Sequence, residues 1–154
     1  MNVTNLNFRS KYALRTKPKK YFVDPSIATA ILEMKPNDLI NDLNTFGFMF
    51  ESLCIRDLKI YTQSFNGDIT FYRDEKEFEV DAILRTSSGK WGAIEIKLGA
   101  GYVDEAAKNL LKFKGKVDTN KCGEPTFLMV LTGTKYSYKR PDGVYVVSIG
   151  SLKD

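Results

Sequence analysis

Three charged residues lie in two neighbouring apolar segments of the chain. Asp81 is in the segment EVDAIL, and Glu95 and Lys97 are in the segment WGAIEIKLG. A charged side chain in an apolar strand is costly unless it pairs with an opposite charge or binds a metal. Because side chains alternate along a strand, Glu95 and Lys97 point the same way, roughly 7 Å apart. Two carboxylates and a lysine on one rigid surface can hold a divalent cation and activate water against a phosphodiester.

Three predicted strands position these residues. The strands are expected over residues 61–72 with an interruption near Asn66-Gly67, 77–85 and 91–98. Turn-like segments at 73–76 and 87–90 separate them, so they form an antiparallel meander. Glu75, Glu77 and Glu79 surround the first turn, and they fit an edge or turn better than a second site.

Helices and two further strands complete the predicted fold. The helices are expected over 25–34, with Asp24 as N-cap, 37–60 and 102–117. Residues 125–131 are nearly all apolar, which is typical of a central strand covered on both faces. Residues 144–149 form the final strand. This order predicts an α/β fold in which helices flank a mixed central sheet.

Composition narrows the classes of function. With 154 residues, the chain is long enough for one domain with its own core. Its net charge of +4 favours anionic partners. It has no histidine, which excludes Ser-His-Asp and Cys-His nucleophiles. Its two cysteines cannot form a four-thiolate zinc site. Cys54 falls in an apolar helical pattern, so we expect it to be a buried free thiol. Nothing suggests a disulfide framework, so we expect a reducing, cytoplasmic compartment. No apolar run is long enough to cross a bilayer.

The N-terminal segment is basic from Arg9 to Lys20. We predict that residues 1–20 are a basic tail or the remnant of an upstream region, and that residues 21–154 form a single domain. A solvated tail and an arm that contacts phosphates are both compatible with this charge.

The residues Asp81 and Glu95-Ile96-Lys97 form a D-x13-E-x-K pattern at the ends of the second and third core strands. In this order of elements, the pattern resembles the PD-(D/E)XK nuclease superfamily, which has the restriction-endonuclease-like core αβββαβ. Glu51 matches the acidic residue that many members carry on the first core helix. Val80 stands in place of the nominal proline of the motif.

A narrower resemblance covers about residues 19–131. It rests on the segments YFVDPS (21–26), GFMFE (47–51), VDA (80–82), AIEIKLG (93–99) and AAKNL (106–110). These segments are similar to the uncharacterised C-terminal domain of a family of prokaryotic AAA-type ATPases. Those relatives carry an ATPase module upstream, whereas no G-x-x-x-x-G-K-[ST] motif occurs in this sequence. We therefore expect an excised or stand-alone domain that does not hydrolyse ATP by itself.

The resemblance implies a metal-dependent nuclease domain that acts on DNA. Asp81 and Glu95 would hold Mg²⁺ or Mn²⁺, with the carbonyl of Ile96 as a further ligand. Lys97 would position or deprotonate the attacking water and stabilise the developing negative charge. Glu51 would bind a second metal or a metal-bound water. By analogy with superfamily members, the resemblance also implies a homodimer.

Two basic segments are candidates for DNA binding. Lys108 and Lys112 repeat every four residues along the last predicted helix, in register with Lys116, and could follow a phosphate backbone. A solvated helix face opposite the apolar stripe is the simpler interpretation of these lysines. The second segment is an aromatic loop, which could stack bases or be an ordinary exposed hairpin. Its basic residues are Lys135, Lys139 and Arg140.

Alternatives to catalysis stay open from the sequence. Asp81, Glu95 and Lys97 could form an ion-pair cluster without a metal. The domain would then be a non-catalytic accessory domain of an AAA-type ATPase that binds nucleic acid or protein, because fold does not dictate function. A structural remnant of a degraded mobile-element gene is a third interpretation.

Overall fold

The computed structural model describes residues 1–3 and 17–153. Most of the expected basic tail, residues 4–16, lies outside this part of the chain. Within the described ranges, no helix is both long enough and apolar enough to cross a bilayer.

A six-stranded mixed sheet forms the centre of the protein. Its strands are β3 (Gly67–Arg73), β4 (Glu79–Thr86), β5 (Trp91–Lys97), β6 (Phe127–Thr132), β7 (Tyr138–Lys139) and β8 (Tyr145–Ser148), in the order β3-β4-β5-β6-β8-β7. Two shorter strands that precede them in the chain, β1 (Asn2–Val3) and β2 (Lys19–Lys20), pair with each other in a separate sheet. β3, β4 and β5 form the expected antiparallel meander, whereas β5, β6 and β8 run parallel.

Helices cover both faces of the sheet. They are α1 (Pro25–Ile31), α2 (Pro36–Asn41), α3 (Leu43–Gln63), α4 (Val103–Lys116) and α5 (Thr119–Cys122), with short 3₁₀ turns at Ala100–Tyr102 and Ile149–Ser151. α4 connects the parallel strands β5 and β6. The predicted mixed α/β architecture with flanking helices is confirmed.

The largest differences from the sequence prediction lie at the two ends of α3. The helix expected over 37–60 is divided at Asp42, whose backbone leaves the helical region (φ −123°, ψ 81°). The Asp42 carboxylate accepts hydrogen bonds from the backbone nitrogen (3.1 Å) and hydroxyl (2.6 Å) of Thr45, so it caps α3. The strand expected from residue 61 starts only at Gly67, because α3 continues to Gln63 and Asn66 turns the chain at φ 55°. The Asp24 cap of α1 is confirmed, since its carboxylate accepts from the Ser26 nitrogen at 2.8 Å.

Two apolar clusters hold the helices against the sheet. On one face, Trp91 packs among residues that include Leu110 and Phe113 of α4. On the other, Cys54 and Ile55 of α3 pack against the sheet. Cys54 is a buried free thiol, as predicted. Because both faces are covered, the central strands β5 and β6 read as nearly continuous apolar runs.

A β-bulge interrupts the pairing of β3 with β4. The partners shift from Thr70–Ile83 to Tyr72–Val80, so β4 advances by one residue more than β3. The extra residue falls in the stretch that contains Asp81. Bulges redirect side chains beside functional sites. This bulge lies in the part of β4 where the acidic residues Glu79 and Asp81 are partly exposed.

Candidate functional site

Glu95 and Lys97 extend from β5 on the same side, as the alternation of the strand predicts. The ammonium nitrogen of Lys97 lies 2.9 Å from Glu95 Oε2. Asp81 of β4 completes this group, with its Oδ2 3.3 Å from Lys97 Nζ. The three residues singled out by the sequence therefore meet at one point, with the lysine between the two carboxylates.

Asp81 is also bound to the backbone of β5. Its Oδ2 accepts a hydrogen bond from the backbone nitrogen of Ile96 at 2.9 Å. The paired residues of β4 and β5 run from Arg85–Trp91 to Ala82–Ile94. Just beyond this last pair, the Asp81 side chain, instead of the backbone of β4, accepts the hydrogen bond of the Ile96 N–H. The carboxylate is thereby fixed beside Glu95 and Lys97.

Glu95 is the most deeply buried carboxylate of the site, with 4% of its surface exposed. The side-chain amide of Asn109, on α4, donates to Glu95 Oε1 at 2.6 Å and to the Glu79 carbonyl at 2.8 Å. Burial and then the negative charge of Asp81 raise the pKa of Glu95 to about 7. The site therefore holds one carboxylate that changes its charge easily near neutral pH.

The pKa of the Lys97 ammonium is raised as well, and in a cation a raised pKa favours the charged form. Burial lowers its pKa, but the negative charges of Asp81 and Glu95 outweigh burial and raise the pKa above its ordinary value. Lys97 is thus a firmly charged cation between two acidic groups.

The three residues line a cavity of about 700 Å³ between the sheet and α4. β4 and β5 supply its acidic side and α4 its outer wall. Its lining comprises Glu79, Asp81, Glu95, Lys97, Tyr102, Glu105, Ala106, Lys108, Asn109 and Lys112. A cavity of this size can admit a small ligand or a segment of a polymer.

Glu51 approaches the site from α3, through a second group of residues. Its Oε1 accepts from the Tyr21 hydroxyl at 2.7 Å and lies 3.3 Å from Lys19 Nζ. Lys19 also pairs with Glu79, and its Nζ is 3.9 Å from Asp81 Oδ1. Glu51 is therefore connected to Asp81 through the Lys19 ammonium.

Four participants were not identified from the sequence. Glu79, which we expected at an edge or turn, lies on β4 inside the sheet and lines the cavity; that expectation is wrong. The available signal was its position two residues before Asp81 on one strand. Tyr21 and Asn109 lie in two segments of the narrower resemblance, and Lys19 lies at its start, but no spacing connects any of them with Asp81, because they reach the site from distant parts of the chain.

The candidate DNA-binding residues occupy different places. Lys108 and Lys112 line the cavity. Lys116 pairs instead with the buried Asp74, at 2.8 Å. Arg140 is held by ion pairs with the carboxylates of Asp104 and Asp142.

Lys135 and Lys139 are not among the residues that line the cavity. Lys139 is on β7, at the opposite edge of the main sheet from β3, and its Nζ lies 5.0 Å from the centre of the Tyr145 ring. Lys135 follows β6, and its Nζ lies 5.5 Å from the centre of the Tyr136 ring.

The donor chemistry of the site suits Mg²⁺ or Mn²⁺. Asp81, Glu95 and Glu51 offer carboxylate oxygens, which these hard cations prefer, and Mg²⁺ requires only one or two carboxylates because it keeps several waters. Within residues 1–3 and 17–153, no group of three or more acidic, histidine or cysteine side chains is arranged for direct metal ligation. The carboxylates are instead arranged around the ammonium groups of Lys19 and Lys97.

The fold and site define a mixed α/β protein with an acidic, lysine-containing cavity at the start of β4 and the end of β5. The chain belongs to the DUF4143 family, described as a domain of unknown function, whose model matches residues 46–152. No curated protein and no solved structure matches it. The matched span includes Glu51 and every residue that lines the cavity, whereas Lys19 and Tyr21 precede it.

Proposed function

We propose that this chain is a metal-dependent nuclease domain with a restriction-endonuclease-like core of the PD-(D/E)XK type, which cleaves DNA phosphodiesters. The observation that supports the proposal is the convergence of Asp81, Glu95 and Lys97 at the wall of an accessible cavity. Both carboxylates lie within 3.3 Å of one ammonium, so a phosphate beside them would meet negative ligands for a cation and a positive charge together.

In this proposal, Asp81, Glu95 and the Ile96 carbonyl would hold Mg²⁺ or Mn²⁺, and Glu51 would hold a second metal or a water bound to it. The bound metal would supply charge neutralisation and a water of lowered pKa. Lys97 orients the attacking water and stabilises the negative charge that develops on the phosphate. Asn109 fixes the Glu95 carboxylate through its 2.6 Å hydrogen bond.

A second candidate function is a non-catalytic accessory domain of an AAA-type ATPase. It is favoured by the exposed apolar side chains on the N-terminal helices, which suit a protein partner. These include Ile27, Ile31, Leu32, Ile40 and Leu43. In this alternative, the ion pairs among Asp81, Glu95 and Lys97 stabilise the fold, and the domain binds nucleic acid or protein without cleaving it.

The test is cleavage of supercoiled, linear and branched DNA with Mg²⁺ or Mn²⁺. Wild type is compared with Asp81→Asn, Lys97→Met and the matched control Glu75→Gln, which removes one exposed acidic charge from the turn before β4. We expect cleavage by wild type and Glu75→Gln, and a loss of at least about 100-fold in the two site variants.

Circular dichroism and thermal melting confirm that each variant is folded. Absence of cleavage by folded, metal-supplied wild type would contradict the nuclease proposal and support the accessory domain. Cleavage that persists in Asp81→Asn at the wild-type rate would show that the proposed residues do not perform the reaction.

A further inference from the structure

The chain supplies a cation of its own to the carboxylates of the site. Lys19 Nζ lies 3.3 Å from Glu51 Oε1 and 3.9 Å from Asp81 Oδ1, and it pairs with Glu79 at short range. Only 16% of the Lys19 side chain is exposed. Burial lowers the pKa of Lys19, but the charges of Glu51 and Asp81, together with the hydrogen bond and charge of Glu79, outweigh it and raise the pKa above its ordinary value. The ammonium therefore compensates acidic groups from α3 and β4.

Two of these carboxylates, Glu51 and Asp81, are the proposed metal ligands outside β5. An ammonium that lies against a carboxylate oxygen competes with a divalent cation for that oxygen, because the two positive charges repel each other at short distance in a partly buried site. Asp81 is engaged on both sides, since its Oδ1 faces Lys19 and its Oδ2 faces Lys97.

The backbone that carries Lys19 is fixed. β2 pairs with β1, where Val3 is fully buried. The Tyr21 nitrogen donates to the Met1 carbonyl at 2.8 Å, and the Met1 ammonium donates to the Tyr21 carbonyl at 2.7 Å. The flexible part is the side chain, whose four-carbon stem allows the ammonium to swing into solvent.

We infer that Lys19 is an internal competitor for the metal. Its ammonium occupies the space between Glu51, Glu79 and Asp81, and binding of a divalent cation there requires the side chain to withdraw. This inference rests on the proposed function, because it assumes that Asp81 and Glu51 are metal ligands. It adds a regulatory contact from a segment that lies outside the family match.

The test is isothermal titration calorimetry with Mn²⁺ on the full chain, without DNA. Wild type is compared with Lys19→Met and Lys20→Met. Lys20 is the next residue on β2 and is exposed, so its replacement removes the same charge without touching the carboxylates. We expect Lys19→Met to bind Mn²⁺ at least about fivefold more tightly than wild type, the lower limit of typical coupling between sites. Lys20→Met should bind like wild type.

Thermal unfolding supplies a second readout. Without metal, Lys19→Met should melt below Lys20→Met, since Glu51, Glu79 and Asp81 lose a shared counter-ion. With saturating Mn²⁺, its melting temperature should rise by more than that of wild type. Glu79→Gln provides a further variant if Lys19→Met does not fold, because it loosens the ammonium while leaving Lys19 in place. It too should bind Mn²⁺ more tightly than wild type.

The outcomes separate this inference from the proposed function. Equal Mn²⁺ affinity in wild type and Lys19→Met, or weaker binding in Lys19→Met, would overturn the inference and leave the metal site intact. The same gain in affinity in Lys20→Met would also overturn it, since a general charge effect would then suffice. No Mn²⁺ binding by any folded variant would overturn both the inference and the metal-dependent function.

Discussion

The carboxylate of Asp81 accepts the backbone N–H of Ile96, with 2.9 Å between Oδ2 and the nitrogen. The Asp81 side chain thus accepts a hydrogen bond from the backbone amide of Ile96 just beyond the last paired residues of β4 and β5. The same oxygen lies 3.3 Å from Lys97 Nζ. Asp81 Oδ2 therefore has two roles: it accepts the Ile96 hydrogen bond, and it carries negative charge beside Lys97. A substitution that keeps the hydrogen bond but removes the charge should separate these two roles.

Replacing Asp81 by asparagine and by alanine should have different effects on stability. Asp81→Asn keeps an oxygen that can accept from Ile96, so we expect its free energy of unfolding to stay within about 1 kcal/mol of wild type. Asp81→Ala leaves this N–H without its acceptor and should cost about 1–2 kcal/mol more. Both variants should lose metal-dependent cleavage. Urea denaturation measures the first effect, and equal stability of the two variants would contradict the role of the Ile96 hydrogen bond.

Much of the sheet could be predicted because its signals are local. β5 and β6 are apolar runs of strand length, and the alternation of β5 is enough to place Glu95 and Lys97 on one side. The division of the long helix at Asp42 was missed because no glycine or proline marks it. Sequence periodicity does not show the cause, which is a competition for hydrogen bonds. The Asp42 carboxylate accepts from the backbone nitrogen and hydroxyl of Thr45, and this local bonding replaces a continuous helix.

The site was predictable only where its residues share adjacent strands. Asp81, Glu95 and Lys97 meet through the meander, whose turns are visible in the sequence. Lys19 and Asn109 come from the N-terminal strand and from α4, and their contacts depend on how these elements pack. A sequence indicates their charge or polarity but not which distant carboxylate they will reach.

The buried pair of Asp74 and Lys116 should make stability depend on pH. Asp74 is fully buried, and its carboxylate accepts from Lys116 Nζ at 2.8 Å and from the backbone nitrogens of Lys76 (2.9 Å) and Phe78 (3.0 Å). Burial alone would raise the pKa of Asp74, but these hydrogen bonds outweigh it and hold the pKa below its ordinary value. The stabilisation is thus complete above the unfolded-state pKa of about 3.9 and is lost as the pH falls through the lower folded-state pKa.

Asp74→Asn should therefore be less stable than wild type by about 2–3 kcal/mol at pH 7, since the buried ion pair with Lys116 is lost. The difference should shrink as the pH falls below about 4, where the Asp74 carboxyl takes up a proton in unfolded wild type while it is still ionised in the folded protein. Urea unfolding of both proteins from pH 7 to pH 3 measures this. A difference that is constant over the whole range would show that the ionised carboxylate contributes nothing.

Ser52 should be replaceable by alanine without loss of stability. It is fully buried on α3, and within residues 1–3 and 17–153 its hydroxyl has no hydrogen-bond partner. Removal of an unsatisfied buried polar group is neutral or stabilising, so we expect Ser52→Ala to change the free energy of unfolding by between about 0 and +1 kcal/mol. Thr62→Val is the matched control on the same helix, because the buried Thr62 hydroxyl donates to the Lys59 carbonyl at 3.1 Å. It should lose about 1 kcal/mol, and the opposite ranking of the two variants in urea melts would contradict the assignment.

The lysines of the cavity wall should govern DNA affinity. Lys108 and Lys112 both line the cavity beside the acidic residues of β4 and β5, whereas Lys114, on the same helix, pairs with Glu124 at 2.8 Å and lies outside the lining. If the two wall lysines contact phosphates, Lys108→Met/Lys112→Met should weaken binding to all sequences alike. It should also reduce the slope of log K against log salt concentration by about two for duplex DNA. Fluorescence anisotropy between about 50 and 200 mM salt measures this slope. Lys114→Met should keep the wild-type slope, and an unchanged slope in the double variant would move the DNA-binding surface away from α4.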